Sequence, residues 1–347
     1  MGQKGFFVAS WLVVFLVCGC ASSPEGSPPS APFEEEPPSP AGLYRIVRLS
    51  AGAPPLTAAG TLTLDDRGVF RESGSRATLG GPSGDEPYHV GGEGSLGDDG
   101  TIELVPTAGE RLEGFATAAG RLFVCAHPGA ASAALCLGVA AGTAMTAPTG
   151  AFHIVVLTRH TAWLATAAGT IVFTGDRYEA RGTVTHSGDG FGDNLHFSFQ
   201  GGFVRDASGW LLFDKLWRGA LAPAGDIVLL GTVSDPATQE IGICLKAAPR
   251  LEGTLEGSYR GAWLRCDDPE IASPLGRIAF SADGTLTIEH EAGETEGRYT
   301  LGPGGTLDMI LDGGETVTGA VDPTTQVVAL AYLGDAGRQR IGVLVRE

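Results

Sequence analysis

The stretch Gly92–Gly97 (GEGSLG) has the glycine spacing of a dinucleotide-binding loop, G-x-G-x-x-G. That motif binds a pyrophosphate only where it lies between a strand and the N-terminus of a helix. Here Asp98-Asp99-Gly100 follows at once, which is typical of a tight turn leading into another strand. The sequence therefore predicts a glycine-rich strand at this place and no cofactor.

The loop Ser187–Asn194 is the best candidate for a hard cation, because it combines carboxylate and amide oxygens with flexible glycines. It lacks the alternate-residue ligand spacing of a calcium loop and a bidentate glutamate downstream, so a solvated turn is the main interpretation. The seven histidines include no His-Glu-x-x-His spacing. Paired aspartates such as Asp65-Asp66 lie at predicted turns, where aspartate is a favoured residue. The sequence therefore predicts no metal site and no enzyme.

Four of the six cysteines are candidates for disulfide bonds. Cys125 and Cys136 lie on the two strands of one predicted hairpin, and Cys244 and Cys266 lie on strands that end one repeat and begin the next. An exported protein meets an oxidising environment, where four cysteines allow three pairings. The sequence predicts the pairs Cys125–Cys136 and Cys244–Cys266. The alternative is four buried free thiols, which act as small apolar side chains.

The first twenty residues combine Lys4, an apolar run over residues 5–17 and small residues before Cys20. This run is typical of a signal peptide and is shorter than the about 20 residues of a membrane-spanning helix. The sequence Val17–Cys20 resembles the lipobox of bacterial lipoproteins, with an aliphatic residue at −3 and small residues at −2 and −1. The resemblance implies removal of residues 1–19, acylation of Cys20 and anchoring in a membrane.

Ala21 stands where an inner-membrane retention signal would place aspartate, so the same resemblance implies the outer membrane in a cell that has one. The alternative is a secreted protein cleaved near Ala21. Residues 20–41 are rich in proline and glutamate and bury too little apolar surface to fold. They predict an extended tether of roughly 60 Å at about 3.1 Å per residue.

Three Gly-x-aromatic steps, at Gly42, Gly150 and Gly257, lie 108 and 107 residues apart. Each is followed near the end of its repeat by an apolar closing strand. These closing strands are Ala134–Leu137, Ile241–Lys246 and Ile341–Arg346. The predicted repeats are residues 42–144, 145–250 and 251–347.

Within each repeat the apolar residues alternate with period two, the pattern of a half-buried strand. In the opening strands one face carries aromatic and aliphatic residues, and the other carries Arg45, His153 and Arg260. Asp-Gly and similar pairs between the strands predict hairpins. An antiparallel meander of about eight strands can close into a small up-and-down barrel, which removes exposed strand edges. The predicted fold is all-β, with three such barrels in tandem.

A single six-bladed propeller, with two blades per repeat, is the alternative fold. Against it, the chain starts and stops at whole repeats, so no strand is left to close a ring by overlap. One stretch, Trp210–Trp217, has the spacing of a helical turn. Its alignment with residues 101–105 and 306–311 predicts a strand instead.

The Gly-x-aromatic step resembles that of the calycins, which include lipocalins and avidin-like proteins. The aromatic residues are Tyr44, Phe152 and Tyr259. The resemblance implies that each ring plugs one barrel end near a basic residue of the last strand. Lys246 and Arg346 fit that role, and Ala140 departs from it. It also implies an alternative function, the carriage of a small apolar ligand inside a barrel.

A formal net charge of −17 argues against binding to nucleic acid or to anionic lipid, both of which favour a basic face. The export signal, the tether and the repetition favour a non-catalytic envelope lipoprotein that binds another envelope protein or polymer. The ligand carrier is the alternative. A third hypothesis, an envelope hydrolase, needs two carboxylates brought together from different strands. The sequence leaves open the oligomeric state and the packing of the three units.

Overall fold

The structure is a computed structural model, and the residues that it describes are 42–51, 55–81, 85–127, 133–142, 147–161, 163–187, 194–214, 217–233, 235, 237–248, 251, 253–267, 271–272, 275–290, 293–333 and 338–347. The predicted signal peptide, the lipidation site Cys20 and the tether lie outside these residues. Within them, the one helical element is a single 3-10 turn, Pro303–Gly305. None of the helical structure in this part of the chain is long and apolar enough to span a bilayer.

The first eight strands form a closed antiparallel barrel, called barrel 1, in which each strand pairs with the next and the last pairs with the first. The strands are β1 (Gly42–Ser50), β2 (Leu56–Leu64), β3 (Val69–Thr78), β4 (Glu86–Leu96), β5 (Thr101–Pro106), β6 (Leu112–Ala116), β7 (Leu122–His127) and β8 (Ala134–Ala140).

Barrel 2 repeats this topology and closes through pairing of its first and last strands. The strands are β9 (Gly150–His160), β10 (Leu164–Thr174), β11 (Arg177–Ser187), β12 (Leu195–Arg205), β13 (Leu211–Phe213), β14 (Trp217–Leu221), β15 (Ile227–Thr232) and β16 (Thr238–Lys246).

Barrel 3 also closes through its first and last strands, and its second strand is split in two short pieces, β18 and β19, that both pair with β17. The strands are β17 (Gly257–Asp267), β18 (Ile271–Ala272), β19 (Leu275–Phe280), β20 (Thr285–His290), β21 (Gly293–Leu301), β22 (Thr306–Leu311), β23 (Thr316–Val321), β24 (Val327–Tyr332) and β25 (Arg338–Arg346).

The prediction of three tandem eight-stranded barrels is confirmed, and the propeller alternative is wrong. In a propeller each four-stranded blade keeps two free edges, whereas here the hydrogen bonds of each unit run round a complete ring. The prediction of a strand over Trp210–Trp217 is confirmed only in part. Strand β13 ends at Phe213, because Asp214 takes a positive φ of 39° and turns the chain before β14 begins.

Alternate side chains of each barrel's own strands fill its interior, as eight strands leave just enough room for them. Each opening aromatic packs edge to face against another ring of its barrel, with centroids 5.2–5.5 Å apart: Tyr44 with Phe123, Phe152 with Phe173, and Tyr259 with Phe280. The register places Ala140, Lys246 and Arg346 directly opposite these three aromatics.

The outer faces of the three barrels meet in one shared apolar core. Val47, Val155 and Ala262 occupy equivalent outward positions in the three opening strands, and all three are buried in this core. The core also includes outward residues of the closing strands, such as Ile243. The opening and closing strands are therefore buried on both faces, so the three units form one body.

The outward basic residues of the opening strands link the barrels in cyclic order. Each donates a hydrogen bond to a backbone carbonyl of another barrel: Arg45 Nη2 to Ser208 at 2.7 Å, His153 Nε2 to Gly304 at 2.7 Å, and Arg260 Nη2 to Asp99 at 2.5 Å. Barrel 1 thus reaches barrel 2, barrel 2 reaches barrel 3, and barrel 3 reaches barrel 1. Burial lowers the pKa of His153, so the neutral imidazole makes this bond at neutral pH.

The turns that precede β7, β15 and β24, the seventh strands of the three barrels, also contact one another. Arg121 of barrel 1 contacts the Asp226 carboxylate of barrel 2 at 2.5 Å and donates to Thr324 Oγ1 of barrel 3 at 3.1 Å. One guanidinium therefore bridges both neighbouring barrels, a role that its fork of donors allows.

Candidate binding surface

Strand β12 of barrel 2 is paired along most of its length on one side only. Its residues 195–202 pair with β11, but only residues 203–205 pair with β13 on the other side. Among the described residues, 195–202 thus have no strand partner on the β13 side, and we call this stretch the open edge. An unpaired edge presents a row of backbone donors and acceptors to which another strand can add.

Two hydrogen bonds establish which backbone groups of the open edge point away from β11, toward its unpaired side. The Phe203 N–H donates to the Asp176 carbonyl at 2.8 Å, on the β11 side. The Gly202 N–H points the other way and donates to the Asp214 carboxylate at 3.1 Å. Since backbone groups alternate in direction along a strand, the N–H and C=O groups of His196, Ser198 and Gln200 face the open side.

Apolar side chains line the inner face of the open edge. Leu195 is 42% exposed and Phe199 is 38% exposed, although both point toward the barrel interior. The Phe199 ring lies 5.6 Å from the Phe197 ring and 5.6 Å from the Trp217 ring, measured between centroids. Exposed aromatics next to unpaired backbone groups are typical of a surface that binds a partner.

Asp214 lies at the C-terminal end of the open edge, beside Gly202. Its carboxylate accepts the Gly202 N–H and the Tyr178 hydroxyl, the latter at 3.1 Å. Burial, with this hydrogen bond, raises the pKa of Tyr178. The carboxylate therefore occupies the place of a strand partner at one residue only. Beside it lies an open crevice of about 600 Å³ that reaches Arg218 and, across the barrel boundary, Asp85.

Glu240 lies behind this surface, inside barrel 2. It accepts hydrogen bonds from the indole Nε1 of Trp217 and from Thr158 Oγ1, the latter at 2.8 Å. Burial raises the pKa of Glu240, and the two hydrogen bonds oppose that rise only in part. Trp217 is therefore held in place by a carboxyl group that retains its proton more strongly than a free glutamate.

A Glu240→Gln variant is expected to change how stability depends on pH. The folded pKa of Glu240 is raised, so the folded state binds this proton more tightly than the unfolded state. The wild-type free energy of unfolding should therefore decline, relative to the variant, as pH rises above about 4.3. Urea unfolding at a series of pH values measures the difference. The exposed Glu179→Gln serves as the control, and a difference that stays constant with pH would contradict the expectation.

The matching edge of barrel 1 is protected. Residues 86–91 of β4 pair with β3 but not with β5. The Thr107 N–H donates to the Gly91 carbonyl at 2.8 Å, so odd-numbered residues of this stretch face the unpaired side. One of them is Pro87, which has no N–H to offer. Its neighbour Glu86 is exposed and charged.

The matching edge of barrel 3 is short and acidic. Residues 293–296 of β21 pair with β20 but not with β22. The Asp312 N–H donates to the Glu296 carbonyl at 2.9 Å, so Glu294 and Glu296 have backbone groups on the unpaired side. Proline and charge are the usual protections of an edge strand, and the open edge of barrel 2 lacks both in residues 195–202.

A second open crevice, of about 640 Å³, lies between barrels 2 and 3. Its lining includes Arg181 and His196 of barrel 2, and Thr306 and Thr318 of barrel 3. The two basic residues are exposed side chains of β11 and β12. This crevice therefore adjoins the outer face of the strand whose inner face carries the exposed aromatics.

Cys125, Cys136 and Cys244 are free thiols, which is the alternative to the predicted disulfides. Cys125 and Cys136 are direct cross-strand neighbours on β7 and β8, and both are buried. Burial raises the pKa of Cys136 to about 12, so this thiol is unreactive at neutral pH. Cys244 lies in the interior of barrel 2, whereas Cys266 is on a strand of barrel 3, with its side chain outside the described set.

The other predicted residues are placed as follows. Tyr44, Phe152 and Tyr259 are buried inside their barrels. The glycine-rich stretch Gly92–Gly97 begins within strand β4 and does not precede a helix. Residues 188–193 of the candidate cation loop lie outside the described part of the chain. The described part contains no cluster of three or more metal-ligating side chains. The open edge itself was missed, although the alternation Leu195-His196-Phe197-Ser198-Phe199, without proline or acid, is its signal in the sequence.

No protein-family model matches the chain, and no curated protein matches it. Among solved structures, the chain is similar to transferrin-binding protein B of Haemophilus parasuis, with 10% identity, a TM-score of 0.30, and coverage of 90% of this chain and 77% of that one. For transferrin-binding protein B of Neisseria meningitidis serogroup B these values are 9%, 0.29, 90% and 78%. For a porin-like protein of Bacteroides uniformis they are 9%, 0.23, 90% and 97%. The assignment of function therefore depends on this chain's own residues.

Proposed function

We propose that the chain is a lipoprotein held in the cell envelope by a lipid on Cys20, and that its three-barrel body is a non-catalytic module that binds an envelope protein or polymer. The observation that carries the proposal is the contrast between the filled interiors of barrels 1 and 3 and the open edge of barrel 2, where the inward-pointing Leu195 and Phe199 are exposed. Binding of a partner at this edge fits the arrangement better than binding of a ligand inside a closed barrel. The tether, of roughly 60 Å, would hold that surface away from the membrane.

The filled interiors of barrels 1 and 3 disfavour the ligand-carrier alternative for those two barrels. A drug-sized ligand takes a pocket of about 300–1,000 Å³. In barrel 3 the interior is occupied by bulky buried side chains such as Tyr259, Phe280 and Met309. In barrel 1 it is occupied by Phe70 and Phe123. A ligand would have to displace several of these rings.

The hydrolase alternative gains no support from the two carboxyl groups inside the barrels, Glu72 and Glu240. Glu72 lies inside barrel 1 and is bonded to Tyr88, and Glu240 lies inside barrel 2 and is bonded to Trp217. Hydrolysis by a carboxyl pair needs both groups in one cleft, on either side of the substrate. These two groups lie in separate barrels.

A Cys20→Ser variant is expected to lose the lipid and to leave the membrane fraction. Acylation needs the thiol of Cys20, and serine cannot form the thioether on which lipoprotein anchoring depends. The measurement is metabolic labelling with an alkyne fatty acid, followed by fractionation of the producing cells. Cys18→Ser is the matched control and should keep both label and membrane association. Equal labelling of Cys20→Ser and wild type would refute the anchor.

The binding role is tested separately by cross-linking in the producing cells. A photoreactive amino acid placed at Val204, beside the open edge and 64% exposed, is expected to capture a specific envelope component. The same amino acid at Ile310, 59% exposed on barrel 3, is the control. Identical products from both positions would show that the contact is unspecific.

A further inference from the structure

We propose that the open edge of β12 binds an extended segment of a partner protein, which adds to barrel 2 as an additional antiparallel or parallel strand. This inference rests on the proposed binding function and names its partner class. It concerns residues 195–202, whose outward backbone groups have no strand partner among the described residues.

The backbone supplies the affinity for such a segment. The N–H and C=O groups of His196, Ser198 and Gln200 point to the open side, spaced as the groups of a strand are spaced. At the C-terminal end of the edge both backbone groups of Gly202 are occupied: its N–H donates to the Asp214 carboxylate, and its carbonyl accepts the Asp214 N–H at 3.2 Å. An incoming strand would satisfy the outward groups with main-chain hydrogen bonds, which is how strand addition binds extended peptides.

The side chains supply the selectivity. Leu195, Phe197 and Phe199 lie on one face at every second residue, and Trp217 continues this apolar surface. A bound strand would place its own alternate side chains over the same face. The partner segment is therefore expected to carry apolar or aromatic residues at alternate positions, without proline at those facing β12.

The corresponding edges of barrels 1 and 3 can be compared with the open edge of barrel 2. The fourth strands of the three barrels are β4, β12 and β21. The register of strand pairing places Val90, Phe199 and Thr295 at equivalent positions in them. The edges beside Val90 and Thr295 carry Pro87 or glutamates, whereas the edge beside Phe199 is apolar and longer. Protection is thus missing at one of three matching sites. This difference favours a binding role for the unprotected edge of barrel 2.

A partner segment fits better than a second copy of this chain. Each copy carries a formal net charge of −17, so two copies repel one another. The eight residues of the open edge are also far fewer than the roughly 20–30 residues that each partner contributes to a stable interface. A flexible segment is not subject to the same requirement, because it can wrap along the edge and contact the aromatic face.

The test uses residues 42–347 as purified protein and a phage-displayed library of random linear dodecapeptides as the probe. Enriched sequences are synthesised and their dissociation constants are measured by fluorescence anisotropy. Ser198→Pro removes an outward N–H without touching a bond to β11, and Phe199→Glu places a charge on the apolar face. Their matched controls are Glu294→Pro, at the register position of Ser198 in barrel 3, and Ile310→Glu, at an exposed apolar residue of β22.

The expected result is enrichment of peptides with alternating apolar residues. Binding should weaken about tenfold or more in Ser198→Pro and Phe199→Glu and change less than about twofold in both controls. The proposal would be overturned if the enriched peptides bound both β12 variants as tightly as they bind wild type. It would also be overturned if no peptide were enriched on wild type relative to the two variants. Self-association that is abolished by Ser198→Pro would overturn it in favour of a second copy.

Hydrogen exchange provides a readout that does not depend on the folding of a variant. In the free wild-type protein the amides of Ser198 and Gln200 should exchange faster than those of Phe197 and Phe199, which face β11. Addition of an enriched peptide should slow the first pair selectively. Protection of all four amides in the free protein would mean that the edge is already covered. These outcomes are independent of the Cys20 experiment, so failure of the anchor and failure of strand addition can be told apart.

Discussion

Replacing Ile243 with alanine is expected to lower the free energy of unfolding of residues 42–347 by about 2–5 kcal/mol, the usual cost of removing a large buried aliphatic side chain. Ile243 is fully buried in the shared core, on the outward face of β16. It lies opposite Leu229 on one side and Val155 on the other. The cavity left by alanine would therefore open where the barrels meet and not inside one of them.

The same variant should still unfold in one transition, because the shared core and the cyclic hydrogen bonds couple the three barrels. Trp263 lies in the interior of barrel 3 and Trp217 lies in barrel 2. Circular dichroism reports all three barrels, and fluorescence of a Trp263→Phe background reports barrel 2. The control is Val204→Ala, at an exposed residue, which should change stability by less than about 0.5 kcal/mol. Separate midpoints for the two probes would show that the barrels unfold independently.

Replacing Glu72 with leucine is expected to cost about 2–4 kcal/mol, because it leaves a charged group without its partner inside barrel 1. The Glu72 side chain is 2% exposed, and its carboxylate lies 3.9 Å from Arg48 Nη1. It also accepts the Tyr88 hydroxyl at 2.6 Å. Arg48 retains 20% exposure, so some water remains at its guanidinium and the cost falls short of that for a fully buried pair.

A double variant separates the two parts of this effect. Arg48→Met together with Glu72→Leu removes both charges and should recover more than half of the lost stability, while the Tyr88 hydroxyl still lacks its acceptor. Urea unfolding of the single and double variants measures the recovery. Glu86→Gln breaks the exposed Arg76–Glu86 pair and should cost at most about 1 kcal/mol. No recovery in the double variant would mean that the Glu72 effect comes from packing.

The interior of each barrel could be predicted from the sequence because it depends on local alternation. In an opening strand, successive side chains point to opposite faces, so the period-two pattern separates Tyr44 and Ile46 from Arg45 and Val47 without any knowledge of the rest of the chain. The turn residues between strands act over similarly short distances. These two local signals are sufficient for strands, hairpins and the repetition of the unit.

The residues between barrels could not be assigned in this way. Gln239 and Gln339 lie at matching positions of the closing strands β16 and β25, and both side chains lie between barrels. Gln239 donates to the carbonyls of Pro55 and Ala77, at 2.9 and 3.1 Å, and Gln339 accepts from Thr166 at 2.6 Å. Such contacts join residues more than 150 positions apart, for which one sequence carries no local pattern.

The sequence by itself determined three β-meander units with aromatic-lined interiors, because side-chain alternation and turn chemistry act between near neighbours. Only the tertiary structure decided that the basic residues Arg45, His153 and Arg260 lie between barrels instead of in solvent. It also decided that β12 keeps an open edge, since this depends on where β13 stops pairing after Asp214 turns the chain. Both results depend on how separate strands align in space, and that alignment is fixed by packing across the whole body.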